Sequence, residues 1–240
     1  MILNKFLSSG LVILGALLSI SVANGQTEQQ LKTDLQKKLG ANAKVRSVSP
    51  APVSGLYEVL VGNDVFYTDS SGKYLIQGEI IELATGKNIT EQRQADLNRI
   101  KWADLLPANA IKTVRGNGSR QLAVFSDPNC GYCKRLEKSL QQLDNVTVYT
   151  YLLPVLGPDS LQKSKQIWCA ADPYKAYMDW MIGGTAPSGK SDCATPLDKN
   201  MAFAKSYGIT GTPTLFFTDG SRFPGAVQIT DIEKKFSSLK

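Results

Sequence analysis

The sequence contains no histidine at all and only four cysteines, Cys130, Cys133, Cys169 and Cys193, every one of them after residue 129. Without histidine, a zinc site has only these cysteines to draw on beyond carboxylates. Blocks of like charge are also missing. The net charge of +6 is spread along the chain, which argues against a nucleic-acid or membrane-surface binder and for a solvated, mildly basic surface. No internal repeat and no low-complexity tract is found. After residue 25 no apolar run approaches the length of a bilayer span.

The one long apolar stretch is at the start. Lys5 precedes Phe6 to Ile20, and small residues follow at Ala23 and Gly25. This pattern reads as a secretory leader, residues 1–25, cleaved after Gly25. A retained membrane anchor is the alternative, but the run is short and is broken by serines and glycines. Cleavage leaves Gln26 to Lys240, 215 residues with a net charge of +5. The cysteines agree with export, since an oxidising compartment tolerates a structural bridge that a cytosol would reduce.

The chain then changes character twice. Residues 26–88 read as a small α+β unit. Thr27 with Gln30 forms a capping box, Leu31, Leu35 and Leu39 give the helical spacing, and Gly40 ends the helix. Five short strand-like pieces follow, Lys44–Val48, Leu56–Val61, Val65–Thr68, Tyr74–Gln77 and Glu79–Leu83, broken by Pro, Gly, Asn and Asp. A unit of about 60 residues has a marginal core and gains stability by pairing with a copy of itself, which its edge strands allow. Asn88 to Leu106 is expected to be a mostly polar linker helix acting as a spacer, with Asn88 and Glu91 at its start and Pro107 at its stop. From residue 108 longer strands alternate with helices: strands at Ile111–Arg115, Leu122–Phe125, Val146–Leu153, Thr214–Thr218 and Ser221–Phe223, and helices at Gly131–Leu143, Ser160–Ala170, Pro173–Ile182, Leu197–Tyr207 and Thr230–Leu239. This is the α/β order that a thioredoxin-like domain with a helical insertion would show.

Cys130-Gly131-Tyr132-Cys133 opens the first helix of that region, directly after a strand ending in Phe125-Ser126-Asp127-Pro128-Asn129. Two intervening residues let both sulfurs meet across one helical turn. At the helix start the sulfur of Cys130 lies near unpaired N–H groups and the positive end of the dipole, which favour the nucleophilic thiolate. Cys130 is therefore the expected attacking sulfur, and Cys133, a turn deeper, the resolving one. Lys134 and Arg135 add positive potential. Half of a zinc site begins the same way but needs two further ligands, and Cys169 and Cys193 do not form a second tight pair. A purely structural staple is the other alternative. No metal and no cofactor is expected. Far downstream, Gly211-Thr212-Pro213-Thr214 precedes an apolar strand, and an X-Pro bond there, combined with the upstream Cys-x-x-Cys, points to cis geometry.

On these residues the chain from about 105 onward resembles the thioredoxin superfamily. The whole of it after residue 25 resembles the DsbC/DsbG family of exported disulfide isomerases. The resemblance is carried by Phe125-Ser126-Asp127, Cys130-Gly131-Tyr132-Cys133 and Gly208-x-x-Gly211-Thr212-Pro213-Thr214, with the small domain and linker placed ahead of them. It implies a cis Thr212-Pro213 bond against the sulfurs, a substrate platform of Thr212, Pro213, Gly131 and Tyr132, and a structural bridge between Cys169 and Cys193, free thiols being the alternative for these two. It further implies a periplasmic homodimer through residues 26–88, a linker over 89–107 and a catalytic domain over 108–240. Misfolded client proteins would be the substrates, and a membrane reductant of the DsbD type would keep Cys130 reduced. A dithiol oxidase, a dedicated reductase and a chaperone-like holdase are the alternative functions.

Two departures from relatives stand out. Some related exchange enzymes place a histidine between the cysteines, where this chain has Gly131 and Tyr132. Thioredoxin carries a buried acid six residues before its first active cysteine, where this chain has Val124. Asp127 is nearer, and its place at a strand end fits either a turn role or a proton relay.

Overall fold

The computed structural model describes residues 27–239. The leader expected over 1–25 lies outside them.

The first unit begins as its capping residues dictate. Thr27 Oγ1 accepts from the N–H of Gln30 at 3.2 Å, the helix α1 runs Glu28–Leu39, and Gly40 leaves it at φ 78°. Leu31 and Leu35 bury completely against Val45, Val48 and Val59 of a four-stranded antiparallel sheet. Its strands are β1 (Val45–Pro50), β2 (Leu56–Val61), β3 (Asp64–Asp69) and β4 (Leu75–Ile76), in that order. A two-stranded ribbon follows, β5 (Ile81–Glu82) with β6 (Lys87–Asn88).

The helix expected over 88–106 is much shorter. Asn88 caps it as anticipated, its side chain accepting from Glu91 N–H at 3.0 Å, but α2 covers only Ile89–Leu97. The chain then leaves the helical path because its backbone and apolar groups find partners elsewhere. Ile100 N–H donates to Gly220 O at 3.0 Å, and Ile100 and Leu105 bury in the core of the second unit beside Phe125 and Phe216. Two 3-10 turns, Trp102–Asp104 and Pro107–Asn109, complete the connection. Half of the expected spacer is therefore fastened to the second domain instead of standing free.

The second unit is a five-stranded sheet in the order β11-β10-β8-β9-β7. Its strands are β7 (Ile111–Arg115), β8 (Arg120–Ser126), β9 (Val146–Leu152), β10 (Thr214–Phe217) and β11 (Arg222–Pro224). β8 and β9 run parallel, joined by α3 (Gly131–Leu140), and the other pairings are antiparallel. α7 (Ile229–Ser238) packs with α3 on one face around Leu122, Leu136, Leu140 and Phe217. α6 (Leu197–Ser206) lies on the other, around Phe125, Tyr151 and Phe216. The insertion, α4 (Pro158–Trp168) and α5 (Pro173–Met181), closes over the start of α3, so that Ile167, Tyr177 and Met181 share one core with Cys130 and Cys133. No helix among the described residues is long and apolar enough to cross a membrane.

Candidate active site

Between β8 and α3 the chain must turn sharply without leaving buried polar groups unpaired, and Asp127 meets that need. Its buried carboxylate accepts from Asn129 N–H at 2.8 Å, Ser160 Oγ at 2.7 Å, Val155 N–H at 2.8 Å and Leu156 N–H at 2.9 Å. Four donors fill its acceptor sites, so it organises the loop. This is the turn role, and it leaves no free oxygen for a relay.

Cys130 stands at the N-cap of α3 in extended geometry, φ −76° and ψ 116°, where an oxygen-bearing side chain is usual. Its sulfur does the capping, accepting from the N–H of Cys133 at 3.4 Å, and its thiol donates to the carbonyl of Thr212 at 3.2 Å. Thr212-Pro213 is a cis peptide at the start of β10, an internal strand between β8 and β11. The two segments that lie about 80 residues apart in sequence thus meet at one sulfur. Gly131 and Tyr132 face outward, and Tyr132 is 60% exposed.

Cys133 is deeper, on the buried face of α3 at 2% exposure. Burial pushes its thiol up to about 12, against smaller opposing effects of hydrogen bonds from the Asp127 backbone and the side chains of Ser126 and Thr212. It stays protonated at neutral pH. Cys130 is the sulfur nearer the surface and touching the cis-proline segment, and Cys133 sits within reach to close a ring with it.

Lys134 and Arg135, expected to supply positive potential, are each laid on an aromatic ring. Lys134 Nζ is 3.5 Å from the Trp180 centroid, and Arg135 is 5.1 Å from that of Tyr132. Burial, then the neighbouring charge of Lys163, pull the Lys134 ammonium below its ordinary value. Trp180 has further polar neighbours. Its indole N–H donates to Pro128 O at 2.6 Å, and Lys163 Nζ lies 5.0 Å from its ring centroid while also pairing with Asp159. Asp159 in turn accepts from Asn129 Nδ2 at 2.7 Å. Cys169 and Cys193 are joined to each other, tying the end of α4 to the loop before α6.

Sequence reasoning passed over Tyr177 and Glu137. Tyr177 and Ser126 are buried, their hydroxyl oxygens 2.9 Å apart, and Tyr177 OH donates to Glu137 Oε2 at 3.5 Å. Glu137 is 5% exposed, and burial raises its carboxyl to about 7, partly offset by the charge of Arg115 and the Tyr177 hydroxyl. One signal was available: Glu137 follows Cys133 by four residues, which places both on the buried face of α3 with Leu136 and Leu140.

The family described as "Thioredoxin-like domain" matches residues 107–240, and that described as "Disulfide bond isomerase protein N-terminal domain" matches residues 22–91. The chain is 42% identical over 181 residues to the probable thiol:disulfide interchange protein DsbC of Bordetella pertussis, across 75% of this chain and 64% of that protein. It is 30% identical over 189 residues to the thiol:disulfide interchange protein DsbC of Escherichia coli, across 76% of this chain and 77% of that protein. It thus spans 64% of the length of the Bordetella relative and more of the Escherichia one. A solved disulfide interchange protein from Neisseria gonorrhoeae, 39% identical, superposes with a TM-score of 0.53 over 56% of this chain and 97% of that one. With both domain families matched in order, the chain belongs to the DsbC family of thiol:disulfide interchange proteins.

Proposed function

We propose that this protein is an exported disulfide isomerase that reshuffles wrong bridges in client proteins, with Cys130 as the attacking sulfur. The observation that carries the reading is the contact between Cys130 Sγ and the carbonyl of Thr212 in the cis Thr212-Pro213 unit. An extended client strand lying along Thr212 and Pro213 is delivered to the sulfur that caps α3. Cys130, as thiolate, attacks one sulfur of the client disulfide, forming a mixed disulfide and releasing the other client sulfur as a thiolate. That thiolate attacks elsewhere in the client until a native pairing releases Cys130, and no net electrons are transferred. When this fails, Cys133 attacks Cys130, the client leaves reduced by two electrons, and the Cys130–Cys133 disulfide must be reduced again. A membrane reductant of the DsbD type fits that need.

Residues 26–88 serve as the dimerisation domain, 89–107 as the connector and 108–240 as the catalytic domain. The first residues act as a periplasmic leader removed after Gly25. Tyr74, Leu75, Ile76 and Ile81 are exposed apolar groups on and beside the edge strand β4, which supports pairing there. Tyr132, Gly131, Thr212 and Pro213 would form the client platform. Exposed Val155 and Leu156, bound through their backbones to Asp127, extend it with an apolar rim.

The test is refolding of a scrambled multi-disulfide protein by the intact chain, by a Cys130→Ala variant and by a chain lacking residues 26–88. Isomerisation lost in both variants is expected. A pair found mainly oxidised in cells would favour the oxidase instead. Full biological activity retained by Cys130→Ala would favour the holdase, to which the apolar rim lends support.

A further inference from the structure

From the line of buried groups behind the site we infer that Glu137 is the proton acceptor of the resolving step, drawing the thiol proton of Cys133 through Ser126 and Tyr177. The inference rests on the reading of Cys130 and Cys133 as an exchange pair.

The groups adjoin one another. Ser126 lies near enough to Cys133 for its side chain to lower the thiol, Ser126 Oγ is 2.9 Å from Tyr177 OH, and Tyr177 OH donates to Glu137 Oε2 at 3.5 Å. Every member is at most 5% exposed, so bulk water does not compete for the proton along the way. Each hydroxyl can accept from the group before it and donate to the group after it, which a relay requires.

A carboxylate is an expensive choice for this position. Among the ion pairs of the described residues none includes Glu137. Its other oxygen accepts, among the described residues, from Gln141 Nε2 at 3.2 Å. Arg115, from β7, acts on it through its charge while its own guanidinium donates to Leu140 O at 2.8 Å. The remaining titratable groups around it are Tyr177 from α5 and, beyond Ser126 of β8, Cys133. A glutamine has nearly the same volume and offers the same acceptor to Tyr177 without burying a charge. What glutamine lacks is the ability to take up a proton. With its carboxyl near 7, Glu137 takes up and gives back a proton at neutral pH. Cys133, by contrast, does not ionise by itself there, so its proton must leave as the new bond forms.

Starting from the mixed disulfide, Cys133 Sγ bonds to Cys130 Sγ and the bond from Cys130 Sγ to the client sulfur breaks. The client leaves as a thiolate with the electron pair of that bond, reduced, while the Cys130–Cys133 pair is oxidised. The thiol proton passes to Ser126 Oγ, the Ser126 proton to Tyr177, and the Tyr177 proton to Glu137 Oε2. When the enzyme disulfide is later reduced, Glu137 returns a proton to Cys133 by the same line.

The full-length protein, with Cys169–Cys193 intact, is mixed with one equivalent of 5,5′-dithiobis(2-nitrobenzoate) in stopped flow. Two bursts of coloured nitrothiobenzoate report, in turn, attack by Cys130 and resolution by Cys133. In the wild type the second burst is expected to accelerate through an inflection near pH 7. In Glu137→Gln it slows by about 10- to 100-fold and loses the inflection. Tyr177→Phe does the same, and the double variant is no slower than either single one. A second burst in Glu137→Gln with the wild-type rate and profile overturns the relay. Should that variant not fold, by near-ultraviolet circular dichroism, Tyr177→Phe alone decides: a retained inflection overturns the inference. A wild type that yields no second burst overturns the exchange reading itself.

Discussion

Two buried acids close to the cysteines, Asp127 and Glu137, have opposite surroundings. Asp127 is surrounded by donors, and an Asp127→Ala change would strand Ser160 Oγ and three backbone N–H groups. At about 1–3 kcal/mol for each unsatisfied buried donor, partly relieved by relaxation, the expected loss is about 3–5 kcal/mol in denaturant unfolding. Glu137 has its carboxyl raised from an ordinary 4.5 to about 7. The folded protein therefore binds more protons than the unfolded one between those values, and stability falls as pH rises through that window. The full effect is about 3 kcal/mol, present as a penalty above pH 7. Glu137→Gln is expected to flatten the stability curve between pH 4.5 and 7 and to be the more stable protein at pH 8, measured by unfolding across pH. Both cysteines could be read from sequence because their spacing marks them, and the meeting with Thr212 because the family resemblance implied it. Tyr177 could not, since its place depends on how the α4–α5 insertion folds over α3, which no local pattern encodes.

At the scale of elements, caps and turns were the legible part. Thr27, Asn88 and Cys130 start their helices as expected, and β2 occupies the stretch its flanking turn residues marked. The connector was not legible: Ile100, Trp102 and Leu105 have spacing compatible with a helix, but their burial partners are on the sheet of the second domain. The fastening can be tested at Gly220, which has φ +81° and where an added Cβ would meet Ile100 O at 2.1 Å. Gly220→Ala is expected to cost about 2 kcal/mol or more and to speed limited proteolysis between residues 97 and 106. Gly131 is the contrary case, with negative φ at the first position of α3 and nothing within 4 Å of an added Cβ. Gly131→Ala should stabilise by about 0.4–1 kcal/mol in thermal unfolding, because it removes freedom only from the unfolded chain.

For the whole molecule, two unequal units in series were foreseeable from the change of pattern near residue 108. The way the second unit carries the end of the connector was not. If β4 is the edge on which two copies meet, a charge placed there should separate them while leaving the catalytic domain intact. Leu75→Lys combined with Ile76→Lys is expected to halve the mass seen by light scattering and to preserve thiol reactivity. A mass that does not change would place the contact elsewhere. Trp180 adds a consequence of another kind. Its indole donates to Pro128, two residues before Cys130, and its ring lies against Lys134 and Lys163. If closing or opening the Cys130–Cys133 ring shifts that cradle, the emission of this fluorophore should follow the oxidation state of the protein. The chain would then contain its own optical gauge, one that needs no added dye.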